Sequence, residues 1–218
     1  MSTGPSHYFD PAPGPGGVDK VRHVLLQGRE LDVRTGSGVF SGDRLDPGTA
    51  VLLHHVAALP DEGHLLDVGC GWGPIALAMA AASPGATVWA VDVNERARAL
   101  TAANADDNGL GNVRVRPPDG VDDALRFAAI WSNPPIRIGK DALHELLLTW
   151  LPRLAPGGRA ELVVQKHLGA DSLQRWLAGT LPGDLHVSRS ASSKGYRVLV
   201  VERGGPAPGE EDAADVSR

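Results

Sequence analysis

The stretch Leu65–Ala80, "LLDVGCGWGPIALAMA", decides how this chain folds. A short apolar run carrying Asp67 gives way to a loop with Gly69, Gly71 and Gly73, and small apolar residues continue beyond it. That order reads as strand, tight corner and helix. Glycines at such a corner permit sharp turning and close approach of the backbone to a ligand, at the carboxyl end of the strand. The spacing is GxGxG, whereas dinucleotide binders use GxGxxG and rest a pyrophosphate on the helix N-terminus. Asp67 would repel a pyrophosphate and suits an ammonium or a sulfonium. A plain strand–helix corner also uses glycine, so the surrounding segments have to decide.

From Gly63 onward, strand-like and helix-like segments alternate. Strands are expected at 64–68, 87–91, 113–115, 127–132, 160–165, 185–190 and 196–202. Helices are expected at "PIALAMAAA", "NERARALTAANADDN" and "KDALHELLLTWLPRL"; in the last, Leu143, Leu146, Leu147, Trp150 and Leu151 recur at helical spacing and form one apolar face. This alternation predicts an α/β, Rossmann-like, mostly parallel sheet with helices on both faces. The last two strands have no long helix between them, which predicts antiparallel pairing at one edge. Residues 20–60 read as a small β-rich lead-in. Two strand-like runs flank Gln27-Gly28 as a hairpin, and a helix capped by Asp46, with Pro47 at its first position, runs on to Pro60.

Two further acids fall after successive strands. Asp92 ends "VWAVD", about twenty residues beyond the glycines, where a carboxylate can accept hydrogen bonds from ribose hydroxyls. The other reading of Asp92 is an N-cap for "NERARAL". Asp119, in "RPPDG", stands at the corresponding place after the third strand, near an adenine amino group, or is simply a turn residue. Together with the glycine loop they line the crevice where open α/β sheets bind ligands, which points to a nucleoside-containing cofactor. The absence of pyrophosphate spacing and the acid in front of the loop tilt the choice to S-adenosylmethionine.

"SNPPIRIGK", Ser132–Lys140, closes the fourth of these strands beside the same crevice. Pro134 and Pro135 fix φ, supply no N–H and leave carbonyls free, while Asn133 offers a side-chain oxygen. The pattern suits an exocyclic amine whose two N–H groups are held by the Asn133 oxygen and the Pro134 carbonyl; the plainer reading is a diproline strand terminator. Arg137 and Lys140 follow directly. With Lys166, His167, Arg189, Lys194, Tyr196 and Arg197 they form either a phosphate-binding rim or ordinary solvated surface.

Composition sets the bounds. The 218 residues, 42% hydrophobic and 22% charged, are enough for one α/β domain with a buried core. The net charge of −5 owes much to the tail "GEEDAADVSR", and without it the body is close to neutral. No apolar run approaches the ~18 residues of a membrane span, and the N-terminus lacks the layout of a signal peptide. One cysteine, Cys70, rules out an intramolecular disulfide and fits a reducing cytoplasm. His54-His55 has no partner at ligand spacing, so no metal is expected.

The segments "LLDVGCGWGPIALAMA", "VDVNERA", "NADDNGL", "SNPPIRIGK" and "SKGYRVL", with "GRELDVRTGSGVFSGDRLDPGT" upstream, resemble the small-domain class I methyltransferases related to the ribosomal RNA guanine-N2 methyltransferases. The resemblance covers roughly residues 20–202. It implies a seven-stranded Rossmann-like sheet with one antiparallel edge strand, S-adenosylmethionine as cofactor, and methylation of an exocyclic amine, most often a guanine of small-subunit ribosomal RNA. The implied partner is ribosomal RNA or a ribosomal subunit. Carried over by position, Asp67, Gly69 and Gly71 contact the methionine part, Asp92 the ribose and Asp119 the adenine. Asn133 and Pro134 position the acceptor, and Phe40 and Asp46 approach the same pocket. Pro135, Ile136, Arg137, Lys140, Lys166 and Lys194 fall to the substrate. Around a single methyltransferase domain expected over 20–203, composition predicts a flexible 1–19 and a disordered acidic tail, 204–218. Two departures stand out: longer family members carry a further amino-terminal half, and Ile136 stands where many amine methyltransferases stack an aromatic on a flipped base. Alternative acceptors are adenine, a protein glutamine or a small molecule. A non-catalytic S-adenosylmethionine-binding RNA module is a reading of another class, against which the intact Asn133-Pro134-Pro135 speaks. A nicotinamide dehydrogenase fits the alternation but not the GxGxG spacing.

Overall fold

A computed structural model of the chain describes residues 20–36, 39 and 45–205. Phe40, the N-terminal segment and the acidic tail from residue 206 lie outside the described residues.

The lead-in is a hairpin. β1 (Lys20–Leu26) and β2 (Arg29–Thr35) pair antiparallel, with Leu26 opposite Arg29, around Gln27 at φ 51° and Gly28 at φ 80°. Positive φ at both central residues matches the right-handed twist of the flanking strands. The hairpin stands as its own two-stranded sheet. α1 (Pro47–His55) follows, its first turn capped by Asp46, whose Oδ1 accepts the N–H of Gly48 at 2.8 Å and of Thr49 at 3.1 Å.

Thereafter come β3 (His64–Val68), α2 (Pro74–Ala82), β4 (Thr87–Val91), α3 (Glu95–Asp107), β5 (Val113–Arg116) and β6 (Phe127–Ser132). α4 (Lys140–Trp150), β7 (Leu154–Gln165), α5 (Ala170–Thr180), β8 (Leu185–Ser193) and β9 (Tyr196–Arg203) complete the chain. The seven strands from β3 onward form one sheet in the order β5-β4-β3-β6-β7-β9-β8. Pairing is parallel from β5 through β7, and β9 inserts antiparallel between β7 and β8, so the hairpin β8–β9 makes the expected antiparallel edge. Its turn is Lys194 at φ 48° and Gly195 at φ 83°, a second turn of the same hand.

Alternating strand residues feed two cores, one on each face. On one face Leu65, Ala129 and Val163 meet α1, α2, α3 and the lead-in hairpin; on the other Leu66, Ile130, Leu162 and Val164 meet α4 and α5. α2 is buried from Ile75 through Ala80, which explains why "PIALAMA" has no polar stripe.

Three expectations need correction. α1 stops at His55 rather than reaching Pro60, because the Ala57 N–H is drawn to the buried carboxylate of Glu161 on β7, at 3.2 and 3.1 Å. β7 begins at Leu154 rather than at Ala160, with a register shift opposite Phe127 and Ala129 absorbing the extra residues. α5 was not anticipated, although Ala170, Leu173 and Leu177, all buried, fall at helical spacing.

One polar residue ties the lead-in to the glycine loop. Asn104 on α3 is fully buried; its Nδ2 donates to the carbonyls of Arg34 and Trp72 at 3.0 and 2.8 Å, and its Oδ1 accepts the Arg34 N–H at 2.6 Å. Removing it strands three backbone groups away from water. Asn104→Ala is therefore expected to lower stability by about 2–3 kcal/mol, measured as a reduced urea midpoint, whereas an exposed α3 position such as Asp106→Ala should change it little.

Candidate active site

The topology opens the site. From β3 the chain steps outward to β4 and β5, then returns to the other side of β3 as β6. Loops leaving the carboxyl ends of β3 and β6 diverge, and ligands of open α/β sheets bind in the crevice so formed. Ser132 at the end of β6 donates its hydroxyl to the Val68 carbonyl at the end of β3, at 2.7 Å, which sets the two strand ends side by side. The cleft beyond them is lined by Asp46, Thr49, Gly69, Gly71, Trp72 and Asn133, among others.

The glycine loop turns through the left-handed region at Gly69 (φ 77°), Gly71 (φ 59°) and Gly73 (φ 98°), a route that a side chain at these positions would strain. The N–H groups of Gly69 and Cys70 both donate to the Val91 carbonyl, at 2.8 and 3.0 Å. Asp92 completes the hold: its Oδ2 accepts the Gly71 N–H at 3.0 Å and its Oδ1 the Asn94 N–H at 2.9 Å. The cap of α3 is Asn94, which accepts the Arg96 N–H at 3.0 Å, so Asp92 is a loop organiser and not the N-cap. Burial pushes the Asp92 carboxyl up, against the pull of these N–H donors.

Asp67 lies one layer deeper. It is fully buried, its Oδ2 accepts the Ala76 N–H at 3.0 Å in the first turn of α2, and its Oδ1 has no hydrogen-bond partner. Burial, reinforced by the charge of Asp92, holds its pKa well above the ordinary 3.8. A carboxylate at a helix N-terminus is favoured by the helix dipole, which offsets part of the burial cost. Asp119 sits exposed on a 3₁₀ turn, Pro118–Gly120, beyond β5. Burial, with Asp92 and Asp67 nearby, pushes the Cys70 thiol up, which leaves it unsuited to act as a nucleophile.

Across the cleft, the half-buried Asn133 donates from Nδ2 to Asp46 Oδ1 at 2.7 Å and to Thr49 Oγ1 at 3.0 Å. The partnership joins residues 87 and 84 positions apart, and no sequence signal announces it. The Pro134 carbonyl is not free as expected: it accepts the Ile136 N–H at 2.8 Å across Pro135 (φ −73°, ψ 77°), an inverse γ-turn. One lone pair of that oxygen remains. Ile136 is half-buried against the α4 side of the core.

Arg137, Lys140, Lys166 and Lys194 are exposed, and none makes an ion pair with a described residue. Lys166 and Lys194 are brought together by the bond from the Lys166 N–H to the Gly195 carbonyl, at 2.8 Å. Arg189 and Arg197 are instead engaged by Asp171, at 2.6 and 3.5 Å. Tyr196 packs against the α1 side of the core. Among the described residues no three His, Cys, Asp or Glu gather as a metal-ligand set, and no helix is long and apolar enough to cross a membrane.

Residues 30–199 match the methyltransferase small domain. The chain belongs to this family of S-adenosylmethionine-dependent methyltransferases. It is 34% identical over 200 residues to the uncharacterized protein YbxB of Bacillus subtilis, covering 90% of this chain and 98% of that one. It is 40% identical over 155 residues to ribosomal RNA small subunit methyltransferase C of Pseudomonas aeruginosa, covering 64% of this chain and 46% of that one. The chain thus spans about half the length of the curated ribosomal RNA methyltransferases it matches. Among solved structures, the 16S rRNA N2 methyltransferase RsmC of T. thermophilus, in complex with AdoMet and guanosine, shares the fold with a TM-score of 0.71. Identity there is 22%, over 88% of this chain and 52% of the other.

The raised pKa of Asp67 has a sign that can be checked. Above pH 3.8 the folded protein holds this proton more firmly than the unfolded chain, so the associated stability is lost as pH rises through the raised value. Asp67→Asn keeps an acceptor for Ala76 and removes the titration. As pH rises above the ordinary carboxylate range, the melting temperature of the wild type is expected to fall relative to that of Asp67→Asn; a difference constant with pH would exclude Asp67 as the titrating group.

Proposed function

We propose that this chain transfers the methyl group of S-adenosylmethionine to an exocyclic amine of a nucleobase, with guanine N2 of small-subunit ribosomal RNA as the acceptor. The observation that carries the reading is the meeting of the glycine loop and Asn133 on one cleft. The fit to the cofactor rests on the left-handed glycine loop, on Asp92 at its edge and on the unpartnered, buried Oδ1 of Asp67. Gly69 and Gly71 would pass close to the methionine part, Asp92 would take the ribose and Asp119 would flank the adenine. Asp67, enclosed behind the loop, would act on the ammonium through a bridging water or through the loop itself. When bound, the cofactor supplies a methyl group on a sulfonium, an electrophile that needs no further activation.

The chain's own groups then have two tasks. Asn133 Oδ1 and the remaining lone pair of the Pro134 carbonyl accept the two N–H groups of the amine, which aims its nitrogen at the methyl carbon. Positive charge would grow on that nitrogen as it takes the methyl group from the sulfonium, and these fixed acceptors would stabilise it more than they stabilise the ground state. Neither amide oxygen retains a proton near neutral pH, so the excess proton passes to water. Pro135 and Ile136 would bound the base. At position 136 it would meet apolar packing in place of an aromatic ring, whose stacking is worth ~1–3 kcal/mol per base in single-strand binders. Similarity to the ribosomal RNA methyltransferases supports guanine; an adenine amine presents the same two donors, and mapping the labelled nucleotide separates the two.

The test uses purified protein, labelled S-adenosylmethionine and small-subunit ribosomal RNA. Wild type is expected to label the RNA on guanine. Asn133→Ala is expected to retain cofactor binding in calorimetry while losing about a hundredfold or more in methyl transfer; an unimpaired rate would remove Asn133 from the mechanism. Arg137, Lys140, Lys166 and Lys194 supply the cationic rim for the phosphate backbone. Charge reversal at Arg137 and Lys140 together should weaken RNA binding and flatten its dependence on salt by about one unit of log–log slope per lost contact. Binding unchanged across salt concentrations would leave these residues as ordinary surface.

A further inference from the structure

We infer that Asp46 is a positioning residue: with Thr49 it fixes the Asn133 side-chain amide in the one orientation that presents Oδ1 to the cleft. This rests on the reading of Asn133 as the acceptor of the amine.

An asparagine amide is nearly symmetric in shape, and rotation by half a turn exchanges a donor for an acceptor. Whether Asn133 offers the cleft an oxygen or an NH₂ is therefore decided by what stands on its other side. There the structure has Asp46 Oδ1 at 2.7 Å and Thr49 Oγ1 at 3.0 Å. An ionised carboxylate accepts and cannot donate, so the reversed amide would set two oxygens against each other. The NH₂ must face Asp46, and Oδ1 must face away. No hydrogen bond to Asn133 Oδ1 is made by any described residue.

The device is anchored on the fold. Asp46 Oδ1 also accepts the Gly48 and Thr49 N–H groups, so the contact that caps α1 is the one that grips Asn133. Thr49 is itself buried in the first turn of that helix. Gly48 leaves the room: a Cβ there would lie 2.9 Å from Asp46 Oδ1 and 2.9 Å from the Tyr196 ring, both closer than side chains pack. α1 and the turn that follows β6 are thus joined through one carboxylate oxygen. The family resemblance implies that Asp46 approaches the same pocket, on its cofactor side. The geometry assigns it instead to the acceptor side, acting through Asn133.

Variants separate capping from positioning. Asp46→Ser keeps a good N-cap but is too short to reach Asn133. Asp46→Asn can place its own Oδ1 where all three donors need it. Gly48→Ala displaces the carboxylate without removing it. In methyl transfer from labelled S-adenosylmethionine to small-subunit ribosomal RNA, kcat is expected to fall about tenfold to a hundredfold in Asp46→Ser. Asp46→Asn should recover most of that loss, and Gly48→Ala should fall between them. The dissociation constant for the cofactor should change less than about threefold in all three. On an Asn133→Ala background, Asp46→Ser should add little further loss, because the two act as a unit.

A second readout needs no substrate. In ¹H–¹⁵N spectra the Asn133 side-chain NH₂ pair, assigned by its disappearance in Asn133→Ala, should exchange slowly in wild type and Asp46→Asn and rapidly in Asp46→Ser. Equal exchange in wild type and Asp46→Ser, or cofactor binding lost in step with kcat, would overturn the positioning role. An active Asn133→Ala would instead overturn the acceptor reading, leaving the exchange result to decide whether Asp46 still orients the amide.

Discussion

The parallel pairing of Leu65–Val68 with Ala129–Ser132 is the contact on which the rest of the site depends. It brings together two strands separated in the chain by two complete strand–helix units. Their pairing forces the glycine loop and the Asn133-Pro134-Pro135 turn to leave the sheet at one point and in diverging directions. The Ser132–Val68 bond finishes the register at the strand ends. A shift of one residue there would move Asn133 to the other face of the sheet, since side chains alternate along a strand. The glycine loop and the Asn133-Pro134-Pro135 turn therefore stand or fall with one strand pair.

Carboxylates, fully buried at Asp67 and Glu161 and half-buried at Asp92 and Asp46, organise the backbone around that point. Asp67 holds the first turn of α2, Asp92 holds Gly71, Glu161 halts α1, and Asp46 starts it. Each receives N–H groups that the surrounding turns leave unpaired, which satisfies the backbone and offsets the cost of burying charge. Such placement also explains why acids near the cleft need not touch a ligand. Asp67 and Asp46 would shape the site by fixing the groups that do.

Much of this was legible in the chain itself. β3, β4, β6 and α2 fall at the expected residues, because each is a short apolar run bounded by glycine, proline or a polar cap. The Gln27-Gly28 hairpin was equally readable, since that turn requires positive φ. The departures have different causes. α1 ends early through a bond from Ala57 to Glu161, 104 positions away, and local pattern carries no trace of it. α5 was missed although its apolar residues repeat at helical spacing; that signal was present and sufficient.

At the site, sequence alone determined which residue types are available: three glycines that only glycine's freedom permits, acids after two strands, and an amide followed by two prolines. Those are local properties of composition and backbone stereochemistry. Tertiary structure decided what each group does. It turned Asp92 from a possible cap into the holder of the loop, closed one lone pair of Pro134 through Ile136, and set Asp46 against Asn133. Hydrogen-bond direction depends on which partner stands opposite, and for residues scores of positions apart only the packed fold supplies that partner.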